Sequence, residues 1–364
     1  MGQAAAPLLH CIIFIFPLFA SSFIRRRVLG ALCALAVPRL WALPSSAPER
    51  ITLAIGARSV FAFRHLPLTI AEQLDFFTAE GLDVTLQPYA SDALALQAMH
   101  AGAADVCALD FEQLLRQPSV GSDAVAARCF VVQGRAAQVA LGVSLRALPR
   151  FKNLVDLRGR KVGVCALNTQ SHTVACLALA QAGMAPEEVT FVAVGEGAPA
   201  AAALRSGRVQ ALCHGDPLMT QLEQQGDVRI VGDARTLSGA QALFGGTVPS
   251  GCLVAPTVFL QKRAPQAQAL ANAVVHALKW LQTAGPADLV KVLPAHSWGQ
   301  ARSIYLAAFA RARETLSPDG MMPSNGPTTA LRALALAEPD AARINAARTF
   351  TSEFSYKAKR KFSA

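Results

Sequence analysis

Apolar and polar positions along the chain follow two different periods, and the order in which the periods alternate predicts the architecture. "ITLAIG" (51–56) is an apolar run of the buried-strand type, followed by the loop "ARSVFAFRH" (57–65). From Leu66 the spacing becomes helical. Pro67 suits the first turn, Leu66, Ile70, Ala71, Leu74 and Phe77 share one face, and Gly81 is the stop. "LDVTLQPY" alternates as a strand, Ser91 or Asp92 caps the helix "ALALQAMHA", "DVCAL" is the next strand, and Asp110 opens "FEQLLRQ". The same order restarts at Leu154 with strand "LRGRKVGVCAL", helix "NTQSHTVACLALAQAG", strand "VTFVAVG", helix "APAAAALRSG" and strand "VQALCHG". Asp216 and Pro217 then open the helix "LMTQLEQQG". "AMHAGAADVCALD" and "ALRSGRVQALCHGD" are therefore the same helix-to-strand corner, written once in each half. Alternation of this kind argues for a parallel sheet with covering helices, so the fold class is α/β with two Rossmann-like lobes.

The strand-like stretch "CFVVQGRAAQVALGVS" (129–144) crosses between the lobes, and "VRIVGDART" is a strand followed by a long return loop, "LSGAQALFGGTVPSGCLVAP". Two crossings imply a cleft with a double crossover hinge. Gly245, Gly246, Ser250 and Gly251 lie in the return crossing, where they read as a turn, a hinge or the cleft rim. From Pro256 the pattern is mostly helical, and these helices are expected to return to the first lobe. The expected organisation is a targeting segment at 1–42, lobe 1 at 43–140 and 240–364, and lobe 2 at 141–239.

Charge changes the picture once it is located. The net charge is +10, but Arg25, Arg26, Arg27 and Arg39 lie in the first 42 residues and Lys357, Lys359, Arg360 and Lys361 in the last eight. The remainder carries 26 basic against 24 acidic residues, so no general basic field exists and no nucleic-acid partner is expected. "RRRVLGALCALAVPRLWA" has a cationic start, an apolar stretch and a small residue, Ala42, at a possible cleavage point. It loosely resembles a twin-arginine leader, and export by the Tat or the Sec route to the periplasm is expected. The upstream stretch "LLHCIIFIFPLFASSFI" is short for a membrane span; it is a weak anchor, or the start codon lies further in. Of eight cysteines, Cys11 and Cys33 belong to the leader. The other six show no CxxC spacing, so no metal and no cofactor is expected, and free buried thiols are the plain reading, with a disulfide open to an exported chain.

Three stretches in order, "LPLTIAEQLDFFTAEGLDVTLQPYASDALALQAMHAGAADVCA", "LVDLRGRKVGV" and "GEGAPAAAALRSGRVQALCHGDP", resemble the periplasmic substrate-binding proteins of ABC importers in the nitrate, sulfonate and taurine family. The resemblance covers roughly residues 51–356. It implies a type II periplasmic binding protein fold, a monomer that closes on a small-molecule ligand and presents it to a permease and its ATPase. Membrane contact would then come only through the permease or an uncleaved N-terminal segment. Two departures stand out: "LNTQSHT" replaces a loop that is often glycine-rich, and Asp75 stands where glycine is common before the aromatic pair.

In open parallel sheets ligands bind beyond the carboxyl ends of the strands, where helix N-termini present free N–H groups. The candidate ligand-binding residues on those loops are Ser59, Phe61, Phe63, His65, Asp110, Asn168, Thr169, Gln170, Ser171, Glu196 and Asp216. Hydroxyls, amides and N–H groups suit an organic anion such as a sulfonate or carboxylate. Each residue has a plainer role beside that one. Asp110 and Asp216 stand where helix caps stand, as do Thr169 and Ser171. Phe61 and Phe63 suit a core, His65 suits a structural polar group, and Arg58 and Arg64 suit surface charges. Glu196, between two glycines, repels an anion unless it points away or meets a cationic group. No G-x-S-x-G, P-loop or HExxH motif is present, and no Cys/His pair has the sequence logic of a catalytic motif, so no enzyme is expected. Two alternatives share the fold: a relative of the thiamine-pyrimidine synthases, whose dense cysteine cluster this chain lacks, and a ligand-sensing partner of a signalling receptor.

Overall fold

Strand β1 (Glu49–Gly56) pairs in parallel along its whole length with β2 (Leu82–Tyr89), and this pair starts the first sheet. The computed structural model describes residues 47–56, 63–117, 126–298 and 301–363. Ser59 and Phe61, with Arg58, lie outside the described residues, as does the stretch 1–42 expected to be a targeting segment.

Between β1 and β2 the helical face expected as one unit is two helices, α1 (Leu66–Gln73) and α2 (Phe76–Ala79). The break falls at Asp75, which adopts the left-handed conformation with φ 56°. A residue there ends one helix and re-aims the chain into the next, which is the geometry glycine accepts without a Cβ clash. Helix α3 (Asp92–His100) follows, capped by Ser91 Oγ, which accepts from Leu94 N at 3.2 Å. Then come β3 (Val106–Leu109), α4 (Phe111–Leu115), and the two crossing strands β4 (Ala127–Gly134) and β5 (Val139–Val143).

The second half repeats the plan with β6 (Lys161–Val164), α5 (Gln170–Gln181), β7 (Thr190–Ala193), α6 (Ala198–Arg205), β8 (Ala211–Gly215), α7 (Leu218–Gln224) and β9 (Arg229–Asp233). The stretch read as a long return loop is instead α8 (Leu237–Phe244) and β10 (Ser250–Pro256). Its small residues and two adjacent glycines hide both periods, while Thr236 Oγ1 supplies a regular cap by accepting from Gly239 N at 3.0 Å. The remaining helices are α9 (Thr257–Lys262), α10 (Ala264–Thr283), α11 (Pro286–Val292), α12 (Arg302–Ala312), α13 (Gly326–Ala337) and α14 (Glu353–Lys361).

The strand order is β2-β1-β3-β10-β4 in one sheet and β7-β6-β8-β5-β9 in the other. Both sheets are mixed. In each, three strands run parallel, and the strand arriving from the other sheet lies antiparallel beside the third: β10 against β3, and β5 against β8. The two crossing segments also lie against each other. Val248 N donates to Arg135 O at 3.3 Å, Ser250 Oγ donates to Ala136 O, and the segment at Thr315 pins them, with Arg135 N donating to Thr315 O at 2.8 Å.

Helices α10 and α14 cover the first sheet, as expected of the C-terminal segment. The segment reaches further than that. Helix α12 touches α7, and α13 touches α4 on one side and α5 and α8 on the other. Polar contacts reinforce the bridge: Arg332 donates to Phe244 O at 2.8 Å, and Leu237 N donates to Glu314 Oε1 at 2.8 Å.

Candidate functional site

The carboxyl ends of the parallel strands of both sheets carry two polar clusters, one from each lobe. In the first, Arg64 lies just before α1 and is nearly enclosed. Its Nη2 donates to Gly56 O at 2.7 Å and to Asp92 Oδ1 at 2.9 Å, and its Nη1 to Asp92 Oδ2 at 3.1 Å and to Asp110. Asp110 N in turn donates to Asp92 Oδ2 at 3.0 Å, and Gly251 N to Asp110 Oδ1 at 3.2 Å. Arg64 is thus no surface charge. Asp110 heads α4 without a side-chain cap bond, because its carboxylate faces Arg64 and Gly251 instead.

Two glycines make this packing possible. A Cβ on Gly56 would stand 2.0 Å from Asp92 Oδ1, and one on Gly251, at φ 49°, would stand 2.7 Å from Arg64 O. Burial would lower the Arg64 pKa, but Asp110, then Asp92 and Glu196, more than offset it and hold the guanidinium charged. Burial, with Asp110 adding to it, wins over Arg64 at Asp92 and pushes that carboxyl up to about 6. His65 Nε2 donates to Gly56 O at 2.8 Å. Burial first, then the adjacent Arg64, keeps its ring neutral. Phe63 is core: its ring meets Tyr305 edge-on at 4.9 Å.

The second cluster sits at the ends of β6 and β8. These strands pair in parallel, with Val164 opposite Cys213, so the residues that follow, Cys165 and His214, are brought side by side. Cys165 N donates to Ser171 Oγ at 3.0 Å, and Thr169 Oγ1 closes the turn by donating to Ala166 O at 2.7 Å, 3.0 Å from Ser171 Oγ. Asn168 takes φ 58°, a left-handed conformation that asparagine tolerates better than most residues, so this loop turns without glycine. Gln170 is buried in the first turn of α5.

His214 Nδ1 lies 3.1 Å from Gly215 O, which fixes the proton on that nitrogen. Nε2 is buried with no hydrogen-bond partner. At Cys165 burial works against ionisation, but the charge of the adjacent His214, with Ser171, lowers the thiol below its ordinary value. At His214 burial is likewise overcome, by Cys165, Gly215 O and Glu196, and the imidazole rises to about 9.

Glu196 links the clusters. It is exposed on the turn after β7, and its charge is felt by Arg64 of the first lobe and by both Cys165 and His214 of the second. Asp216 is occupied elsewhere. Its Oδ1 accepts from Thr220 N and Oγ1, both at 2.9 Å, and from Arg235 at 3.3 Å. Arg235 is fully buried and also pairs with Asp233 and with Glu223, which holds Arg311 of α12 at 2.9 Å.

Of the residues singled out from sequence, the structure places Asp110 in the cluster around Arg64, and Asn168, Thr169, Gln170 and Ser171 at the turn that leads from β6 into α5. It places Phe63, His65 and Asp216 inside the lobes. Sequence reading gave Arg64 as a surface charge and Asp92 as a helix cap, and missed Cys165 and His214. The available signal was positional: "VGVCAL" and "ALCHGD" are neighbouring strands in the expected order, and each puts its polar residue one step past the apolar run. Among the described residues, no group of three or more His, Cys, Asp or Glu side chains could hold a metal ion.

Comparison with known proteins fits this architecture. A protein from Bordetella bronchiseptica RB50 of solved structure is 40% identical, with a TM-score of 0.79 over 88% of this chain and 99% of that one. The alkanesulfonate-binding protein SsuA from Xanthomonas axonopodis pv. citri, bound to MOPS, is 15% identical with a TM-score of 0.64, over 84% and 99% of the two chains. The periplasmic nitrate-binding protein NrtA from Synechocystis PCC 6803 is 15% identical with a TM-score of 0.65, over 86% and 89%. These last two show that the fold is that of the periplasmic binding proteins. No curated protein matches the chain. The family model described as NMT1/THI5 like matches residues 62–285, and the chain belongs to that family.

Proposed function

We propose that this protein is an exported solute-binding protein: it takes a small organic molecule between its two lobes, closes on it, and delivers it to the permease and ATPase of an ABC importer. The observation that supports this reading best is the meeting of the two clusters around Glu196. Its charge acts on a cluster at the strand ends of each sheet, the ends that β-α-β folds use for ligands, and two adjacent crossings join the sheets. The solute-binding roles of the sulfonate- and nitrate-binding structures fit the same reading.

The ligand is an organic anion such as a carboxylate or sulfonate, and its charged end belongs at the second lobe. Arg64 is already neutralised by two carboxylates, so it has little attraction left to offer. The N-terminus of α5, with Thr169 and Ser171 beside it, presents N–H groups and hydroxyls and has no carboxylate in its first turn.

A thermal-shift screen of the purified protein against sulfonates, carboxylates, nitrate, amino acids and pyrimidines tests this, because a compound that binds only the folded state raises its melting temperature. An anion is expected to give a rise, and Thr169→Ala is expected to shrink that rise by more than the loss of about 1 kcal/mol of unliganded stability from its turn hydrogen bond to Ala166 O accounts for. A rise with cationic or neutral compounds alone would contradict the anion assignment.

A further inference from the structure

Cys165 differs from the other described cysteines. Cys107, Cys129, Cys176, Cys213 and Cys252 are buried, whereas Cys165 is half-buried at the carboxyl end of β6, one turn before α5. Its surroundings combine three features that activate a thiol. A helix of twelve residues begins five positions on and directs its positive end at the loop. Ser171 Oγ fixes the Cys165 backbone at 3.0 Å. His214 stands beside it on the adjacent strand in the parallel register, oriented through Nδ1 by a backbone carbonyl, with a buried Nε2 that has no hydrogen-bond partner. Nucleophile, base and orienting acceptor thus follow one another in the order that activated cysteines require.

We infer that Cys165 and His214 form a thiolate–imidazolium pair in the cleft that adds reversibly to an electrophilic carbonyl group of the ligand, an aldehyde or a 2-oxo acid. This rests on the cleft being the ligand site and extends it by naming the reacting group. In the step, the Cys165 Sγ lone pair forms a bond to the carbonyl carbon, and the carbon–oxygen π pair moves onto oxygen. His214 Nε2 then gives its proton to that oxygen. No group leaves, no oxidant or reductant is needed, and the reverse step restores thiolate and imidazolium. Addition to a carbonyl is favoured over exchange with a disulfide because it uses both members of the pair, including the imidazolium proton. The groups facing the pair are consistent with it. Glu196 raises both members, which favours a protonated imidazole but opposes the thiolate; Cys213, the other neighbour, is buried and burial keeps it a neutral thiol.

The test uses the purified protein, iodoacetamide, glyoxylate as the carbonyl probe, and peptide mass mapping to follow Cys165 alone. In the wild type, alkylation of Cys165 is expected to be nearly independent of pH around neutrality. At pH 7 it should be about 10-fold faster than in His214→Gln, since an ordinary thiol is only a few per cent ionised there. Glyoxylate is expected to protect Cys165, and dialysis to restore its reactivity. An ordinary thiol profile in the wild type would overturn the pair whether or not the variant folds. A normal thiolate profile with no protection by glyoxylate would overturn the carbonyl assignment. Cys165→Ser separates this from the receptor reading: it should keep the thermal shifts given by ligands that lack a carbonyl and lose only the one given by glyoxylate. If Cys165→Ser keeps the glyoxylate shift in full, the adduct is excluded while the cleft stands.

Discussion

Arg64 shows how one side chain organises the edge of the first lobe. It ties the end of β1, the start of α3 and the start of α4 together, and all of its partners come from segments far apart in sequence. That is why it read as a surface charge: a lone arginine after a loop carries no local sign of the two carboxylates, at positions 92 and 110, that enclose it. Asp92 has a measurable consequence. Its folded pKa of about 6 lies above its ordinary 3.8, so the folded state binds its proton more tightly than the unfolded chain. The stability it contributes is therefore full below its ordinary value and is lost as pH rises through about 6. Melting of the wild type and of Asp92→Asn across this range checks the sign: wild-type stability relative to the variant should fall from about pH 4 to about pH 6 and level off above it. A relative gain for the wild type over that window would mean that Arg64 outweighs burial at this site.

Elements were more legible than side chains, and the exceptions have physical causes. The alternating and helical periods located the β1–β3 and β6–β8 units because each strand is flanked by an amphipathic helix with an ordinary start or stop. Strand β10 escaped notice because it begins at Ser250, whose hydroxyl bonds Ala136 O, and Gly251, whose missing Cβ lets Arg64 approach, so neither adds to a hydrophobic pattern. The pairing of Cys165 with His214 was invisible for a different reason: 49 positions separate them, and only the parallel register of β6 with β8 joins them. The break between α1 and α2 was concealed by a continuous apolar face across Asp75. Asp75 is exposed, has no side-chain cap bond and holds φ at 56°, a strained value for a residue with a Cβ. Asp75→Gly is therefore expected to stabilise the protein by about 0.5–1 kcal/mol in chemical denaturation. A loss of stability would mean that the carboxylate does something at this corner that its contacts do not show.

At the scale of the whole molecule, each sheet takes one antiparallel strand from the chain that crosses to or from the other, so the two lobes are joined through their sheets and not by a loose linker. The reading of the sequence foresaw both crossings and the helical C-terminal segment, but not the bridge that α12 and α13 make to the second lobe. That bridge has a mechanical meaning for the proposed function. Helix α13 packs against α4 and α5, and Thr173 of α5 donates to the buried Glu112 of α4 at 2.6 Å, so one side of the lobe junction is fixed by packing and hydrogen bonds. Closure then has to be a rotation about that fixed side, through the paired segments at 135–138 and 245–249, and not a sliding of one lobe over the other. Small-angle X-ray scattering of the purified protein, alone and saturated with the anion that gives the largest thermal shift, tests this most directly. The account predicts a smaller radius of gyration in the bound state with no consumption of the compound. An unchanged radius of gyration at saturation, or conversion of the compound into a product, would contradict it.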